Sequence, residues 1–435
     1  MAARATPDFT PLHKIAELQR RRWRHQRRYV LEHSPLFQNL WMHHAVPGRL
    51  EELPVLPLCD KDLLRRSQAA APPFGNYLAA PEQSVVRLHR TSGTTGQAMN
   101  LALSVADAAQ TAEVGARAQR AAGLKADHRV IHCLNYRMWI GGFTDHTTLE
   151  MTGATVIPFG VGNSELLIRT IRELRITAIS CTPSYPAVLE RVIEQNFPEL
   201  TPRALGLKLG LFGGEAGLDN NSFRARLEAT WGFKARNANY GVSDVFCNFA
   251  AQCEHSNDLH FVGLDVLYPE VVDPDSGDSL PWREGAQGEL VLTHLARECQ
   301  PLVRFRTADI IVITGTQPCA CRRTVPRFRV IGRSDDMVVV RGINVFPTAV
   351  AAVINDFSEL SGEYRILLEG PGPYDQLPLE VELAPDREAT ETLADAVADA
   401  IKYHISVSAR VTLAAPQSLP RTAGKTRRVI RKETQ

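Results

Sequence analysis

The strongest constraint on the fold is a run of alternating helical and strand patterns between residues 106 and 214. Residues 106–122 are Ala-rich, a composition that favours helix, and stop at Gly123. Arg129-Val130-Ile131-His132-Cys133 reads as a buried strand, Gly141-Gly142 as a break ahead of another helix, and Ala154-Thr155-Val156-Ile157-Pro158 as a second strand. A helix over 165–175, a strand at Thr177-Ala178-Ile179-Ser180, a helix opened by Pro183-Ser184-Tyr185, and a strand over 207–212 ending in Gly213-Gly214-Glu215 complete the run. Strands separated by helices connect in parallel, and parallel strands bury both faces. The predicted class is therefore α/β, with mostly parallel sheets flanked by helices.

The flanking segments extend this plan. Residues 12–33 read as a helix with Trp23 and Val30 one heptad apart and Arg20-Arg21-Arg22 on a solvated face. Residues 47–57 resemble a linker, and Asp60 stands where a short helix would open. From 260 to 312 strands and turn signals (Asp273-Pro274, Gly285, Gly288) predict a β-rich subdomain. Beyond Gly332 a compact α+β pattern begins: a helix from Phe346-Pro347, strands over 365–368 and 379–383, a helix over 389–403, a strand over 410–413, and a basic tail. The expected division is 1–332 for a large N-terminal domain and 333–435 for a small C-terminal one.

A net charge of +1 and an apolar fraction of 44% argue against a nucleic-acid partner. No run reaches the roughly 18 apolar residues of a membrane span, and residues 1–10 lack the apolar core of a secretory signal, so a cytoplasmic protein is expected. Eight cysteines in 435 residues do not make a disulfide scaffold.

Chemistry enters with Thr91-Ser92-Gly93-Thr94-Thr95-Gly96, just after the alternating Val85-Val86-Arg87-Leu88-His89. Glycines let the backbone close on a ligand, while amide and hydroxyl donors suit phosphate oxygens. Alone, such a loop is ordinarily a turn. Four further stretches follow it: Gly213-Gly214-Glu215-Ala216 with Tyr240-Gly241-Val242-Ser243-Asp244; Arg304-Phe305-Arg306-Thr307-Ala308-Asp309; Gly332-Arg333-Ser334-Asp335-Asp336-Met337 with Arg341-Gly342-Ile343-Asn344-Val345-Phe346-Pro347; and Leu419-Pro420-Arg421-Thr422-Ala423-Gly424-Lys425.

In this order the five stretches resemble the adenylate-forming superfamily, and within it the phenylacetate–CoA ligases and related aryl-CoA ligases. The resemblance implies an AMP-forming ligase of an aryl acid, ATP and CoA, with Mg²⁺ and a mobile C-terminal domain. The loop from Thr91 to Gly96 would wrap the ATP β- and γ-phosphates, but Gln97 stands where the family usually has lysine. Gly214 and Glu215 would frame the adenine, Tyr240 and Gly241 would wall the nucleotide and acyl sites, and Asp244, where glutamate is usual, would help hold Mg²⁺. Asp309 would accept from both ribose hydroxyls, Arg333 would contact ribose or phosphate, and Asp335 would be the domain pivot. Lys425 would stabilise the adenylation transition state.

In Asn135-Tyr136-Arg137-Met138-Trp139-Ile140-Gly141-Gly142, which aligns with the family's acid site, Tyr136, Trp139 and Gly141, together with Phe143, are candidate pocket residues; the polar Asn135 and Arg137 fit a ring bearing hydroxyl or amino. A carrier-protein phosphopantetheine thiol is the alternative acceptor, and relatives often dimerise. Finally, Cys253, His260, Cys319 and Cys321 match a Cys, Leu-His and Cys-X-Cys pattern of some relatives and could form a closed, structural Cys₃His zinc site, with Cys247 and His255 as alternative ligands.

Overall fold

A computed structural model describes residues 6–91, 98–215, 217–341, 343–370, 374–420 and 428–432. The chain forms two compact units: one of residues 1–214, 227–307 and 311–329, the other of residues 215–226, 308–310 and 330–435.

The larger unit opens with α1 (Leu12–His33), which buries Ile15, Gln19, Trp23, Gln26 and Val30. Their spacing of three and four puts them on one stripe. Both glutamines on that stripe satisfy backbone carbonyls, Gln19 that of Leu264 (2.6 Å) and Gln26 that of Arg297 (2.8 Å). Arg22, expected on a solvated face, instead reaches Asp265 at 2.9 Å. Helices α2 (Pro35–Leu40) and α3 (Lys61–Ala70) follow; Asp60 caps α3 by accepting from the Leu63 amide at 2.7 Å.

Strands β1 (Arg87–Arg90) and β2 (Asn100–Leu103) pair antiparallel on either side of the Ser/Thr/Gly loop. A capping box between Ser104 and Asp107 starts α4 (Val105–Ala121). The expected alternation then appears: β3 (Arg129–His132), α5 (Ile140–Glu150), β4 (Thr155–Pro158), α6 (Ser164–Glu173), β5 (Ala178–Cys181), α7 (Tyr185–Asn196), β6 (Leu209–Gly213), α8 (Asn221–Trp231) and β7 (Lys234–Val242). Gly141-Gly142, read as a break, lies inside the first turn of α5. A side chain at Gly142 would meet the Asn135 carbonyl oxygen at 2.1 Å, so the helix can start there only over a glycine.

Strands β8 (Phe246–Cys253), β9 (Ser256–His260), β10 (Leu267–Val272), β11 (Ser279–Leu280), β12 (Gln287–His294), β13 (Phe305–Gly315) and β14 (Arg327–Arg333) continue one 12-stranded sheet in the order β11-β10-β12-β13-β14-β9-β8-β7-β6-β5-β3-β4. The neighbours from β7 to β4 pair in parallel. The β-rich region expected as a subdomain is the antiparallel half of the same sheet. The reason is the nine-residue β7, whose first part pairs with β6 (Leu209↔Lys234) and whose end pairs with β8 (Tyr240↔Ala250).

The smaller unit holds the hairpin of β15 (Val338–Val340) and β16 (Ile343–Val345), α9 (Pro347–Ile354), β17 (Leu360–Glu369), β18 (Leu377–Leu383), α10 (Glu391–Ile405), β19 (Ala409–Ala414) and β20 (Val429–Lys432). Its four-stranded sheet runs β19-β18-β17-β20 over a core that includes Val350, Ile354, Ile366, Leu379, Val397 and Ile401. Within the basic tail, Val429–Lys432 form a strand parallel to β17, with Ile366 opposite Val429. Its flanking charges mask it in the sequence; Arg428 spends one of them on Glu363 at 2.6 Å.

Candidate active site and metal centre

The β1–β2 hairpin carries the first site element. Thr91 is buried, its amide donating to the Met99 carbonyl (2.9 Å) and its hydroxyl accepting from the Met99 amide (3.0 Å). Thr91 therefore closes the base of the loop; Ser92, Gly93, Thr94, Thr95, Gly96 and Gln97 lie outside the described residues. One residue earlier, the Arg90 amide donates to the Met138 carbonyl at 2.7 Å, tying the loop's base to the stretch before α5.

Across the sheet, β6 ends at Gly213, where a side chain would collide with Asn239 at 2.5 Å, and Gly214 turns the chain at φ +81°. Glu215 follows, half-buried. At the end of β7, Tyr240 packs edge-on against Phe249 and Phe328, each 5.3 Å away between centroids. Gly241 lies at a break in the β7–β8 register, and a Cβ there would sit 1.9 Å from the Cys247 carbonyl oxygen. The turn closes with the Val245 amide on the Val242 carbonyl at 2.8 Å, which places Asp244 inside it, its side chain 4% exposed. Lys61, at the start of α3, donates to Asp244 Oδ2 at 3.1 Å, while Asp244 Oδ1 is buried and has no partner among the described residues. Such an unpartnered carboxylate oxygen is what a hard cation would occupy. Nothing in the sequence links Lys61 to Asp244; they are 183 residues apart.

The stretch before α5 holds the candidate acid-pocket residues. Trp139 packs against Gly141 and faces Gly214: side chains there would lie 3.1 Å and 3.7 Å from its ring. Tyr136 is half-buried, edge-on to His132 (5.6 Å), with its hydroxyl 3.0 Å from His146 Nδ1. Phe143 is 44% exposed, stacked on His146 and covered by Arg87 at 4.6 Å. Beneath them His132 pins the start of α5. Burial lowers its pKa to about 4, so the ring is neutral: Nε2–H donates to the Gly142 carbonyl (3.0 Å) and Nδ1 accepts from Ser180 (3.0 Å). Asp145, facing inward from α5, has its pKa pushed up to about 7 by burial, opposed by hydrogen bonds from Cys247 (2.7 Å) and Asn239. These three residues join α5 to β7 and β8, a connection absent from the sequence reading.

In the smaller unit Arg333 donates to Asp309 at 2.7 Å and grips Asp335 with two bonds of 2.8 and 2.7 Å. Burial alone would lower its pKa, but Asp309, Asp335 and Asp336 raise it above the usual arginine value. The Ser334 amide donates to the Ala308 carbonyl at 2.8 Å, holding the two stretches together. Lys425 lies outside the described residues.

The four candidate zinc ligands converge. Cys253 ends β8, His260 ends β9, and Cys319 and Cys321 come from the segment between β13 and β14; their ligand atoms lie within 4.8 Å of one another. Cys253 and Cys319 sulfurs are 3.9 Å apart, and Cys321 Sγ is 3.4 Å from His260 Nε2. Zinc–sulfur bonds of about 2.3 Å at tetrahedral angles put two sulfurs about 3.8 Å apart, so the donor set fits zinc. The Cys253 hydrogen bond and the nearby His260 ring favour the Cys321 thiolate. Of the alternatives, Cys247 is engaged by Asp145, and His255 meets Cys253 through its backbone amide. Next to the cluster, Arg323 holds Asp8 at 2.9 Å and fixes the N-terminal segment.

A parallel sheet ending in glycine turns, a Ser/Thr/Gly loop closed at its base by Thr91, a buried carboxylate and a separate α+β unit fit an enzyme that activates an acid with a nucleotide. The AMP-binding enzyme family matches residues 44–295 and the AMP-binding enzyme C-terminal domain matches residues 342–433; the chain belongs to this family. Phenylacetate-coenzyme A ligase of Thermus thermophilus is 33% identical, over 97% of each chain. The enzyme of the same name from Escherichia coli is 32% identical over 96% of this chain and 94% of its own. A crystal structure of 2-hydroxyisobutyryl-CoA ligase in the postadenylation state, in complex with 2-HIB-AMP, superposes with a TM-score of 0.89 at 29% identity, covering 99% of this chain and 93% of that one. The expected family and fold class are borne out.

Proposed function

We propose that the protein is an ATP-dependent ligase that joins an aryl carboxylic acid of phenylacetate, benzoate or anthranilate type to CoA through an acyl-adenylate. The observation that carries this reading is the similarity, along almost the whole chain, to phenylacetate-coenzyme A ligases. In the first step a carboxylate oxygen of the acid attacks the α-phosphorus of ATP, and pyrophosphate leaves. In the second the CoA sulfur, as thiolate, attacks the acyl carbon and AMP leaves with the electron pair of the broken C–O bond. CoA, not a carrier-protein thiol, is the acceptor, in keeping with the relatives' names.

The loop after Thr91 takes the β- and γ-phosphates. Lys61 supplies beside Asp244 the cation that Gln97 does not. Gly214, Glu215, Tyr240 and Gly241 line the nucleotide, and Asp309 takes the ribose hydroxyls; because Arg333 already holds Asp309, nucleotide binding must share or displace that contact. Asp335 is the pivot and Lys425 acts in adenylation alone. Asp244 would hold Mg²⁺, which when bound neutralises phosphate charge. Tyr136, Trp139 and Gly141 shape the acid pocket, with Phe143 at its exposed rim. Zinc at Cys253, His260, Cys319 and Cys321 is structural, since four protein ligands leave no open position. We place the reaction in the cytoplasm, in keeping with eight cysteines that form no disulfide.

The deciding assay is pyrophosphate release over a panel of aryl acids, with CoA thioester formation measured separately. Release with no member of the panel overturns the reading. Lys425→Ala should abolish release while sparing thioester formation from preformed acyl-AMP; equal losses would remove its assigned role. Elemental analysis should find one zinc per chain, and Cys319→Ser should lose it.

A further inference from the structure

A chain of three polar side chains runs along one side of the acid-pocket stretch. Tyr136 Oη lies 3.0 Å from His146 Nδ1, and His146 Nε2 lies 3.1 Å from a Glu150 carboxylate oxygen. His146 and Glu150 are one helical turn apart on α5, so their pairing is built into the helix. Phe143 stacks on the imidazole with an interplanar angle of 5° and holds the ring plane.

The proton positions follow from chemistry. A carboxylate only accepts, so an imidazole with a single ring hydrogen carries it on Nε2 and donates it to Glu150. Nδ1 is then an acceptor, and the Tyr136 hydroxyl must donate to it. Burial raises the phenol's pKa, which keeps that hydrogen in place at neutral pH. The phenolic oxygen, its hydrogen turned toward His146, presents lone pairs to anything else that approaches. Tyr136 without this relay would rotate its hydroxyl and both donate and accept.

We infer that His146 and Glu150 are positioning residues that fix Tyr136 as a hydrogen-bond acceptor, so the pocket selects aryl acids whose ring carries a donor, a hydroxyl or amino group, over rings that carry only an acceptor. This rests on the reading that Tyr136 lines the acid pocket.

The test compares kcat/KM for pyrophosphate release with ortho, meta and para sets of hydroxy-, amino-, fluoro- and nitro-phenylacetates, beside unsubstituted phenylacetate. One hydrogen bond to a neutral donor is worth about a 3- to 10-fold preference. At one ring position the hydroxy and amino acids should exceed their fluoro counterpart by that factor, mainly through KM. Tyr136→Phe should erase the difference. His146→Leu should lower the hydroxy-to-nitro ratio about 3- to 10-fold, because the released phenol hydrogen can then serve an acceptor; a residue that merely stabilised α5 would lower all substrates alike. Turnover without any hydroxy or amino preference, or a preference retained in Tyr136→Phe, overturns the inference alone. Absence of turnover with every aryl acid overturns the pocket reading and this inference with it.

Discussion

The pairing of Lys61 with Asp244 makes the sharpest prediction. Two unit charges at their separation of 3.1 Å attract by about 1 kcal/mol in water and about 5 kcal/mol at the effective dielectric of a protein interior. Asp244 is nearly buried, but the Lys61 side chain is 39% exposed, so solvent screening pulls the value toward the lower limit, to about 1–2 kcal/mol. Lys61→Met removes the partner of Oδ2 while Oδ1 has none among the described residues, leaving a desolvated carboxylate. Urea unfolding of Lys61→Met, Asp244→Asn and the double variant should return a coupling of about 1–2 kcal/mol, with the double variant more stable than the single changes imply. If Lys61 also stands in for the phosphate cation, Lys61→Met raises the KM for ATP about tenfold or more, as loss of one charge-assisted contact would. Gln97→Lys should then recover part of that loss, since it restores a cation at the family's usual position. A coupling near zero together with an unchanged KM for ATP refutes both assignments; coupling without a KM effect leaves Lys61 as a structural counter-ion and refutes its phosphate role.

Two further outcomes follow from Asp145 and Gly241. Asp145, raised to about 7 from its ordinary value, holds its proton in the folded state over a range where the unfolded chain has lost it. Its contribution to stability is therefore fully present below about pH 4 and is lost as pH rises to about 7; Asp145→Asn should flatten the decline in urea midpoint between those limits, and an unchanged slope would mean the carboxyl is not the group that titrates. At Gly241, Gly241→Ala sets a methyl 1.9 Å from backbone oxygen, which no rotamer change relieves. We expect a loss of about 1–3 kcal/mol, as for overpacking in a core, and a disproportionate fall in pyrophosphate release because the same shift moves Asp244; activity at the wild-type level would show that the turn tolerates displacement.

How much of this could be read beforehand follows from the range over which each constraint acts. The β3-to-β6 alternation was legible because a parallel strand buried on both faces and its crossover helix each leave a periodic trace within about ten residues. The Cys/His cluster was legible for another reason: Cys-X-Cys alone is a weak signal, and it was the match to a pattern of relatives that joined it to the distant Cys253 and His260. Strand β20 was missed because Val429 and Ile430 are too few to show alternation among flanking cations, and the pairing that makes them a strand comes from Ile366 and Leu367. The join between the parallel and antiparallel halves was missed because β7 changes partners within one strand, leaving no mark on its own sequence. Lys61 and Asp145 show the same limit within the candidate site. Each has an unremarkable local reading, a lysine after a helix cap and an aspartate inside a helix, and takes on meaning only when the sheet brings Asp244 or Cys247 against it. Sequence motifs accordingly identify groups that would touch nucleotide, whereas the groups that set charge and geometry behind them come from elements whose local pattern is satisfied by folding alone. The Tyr136–His146–Glu150 chain stands between these cases: the helical spacing of His146 and Glu150 is local, but their effect is exerted on Tyr136, ahead of the helix, and it is the hydrogen bond between the two that gives the pair a chemical direction.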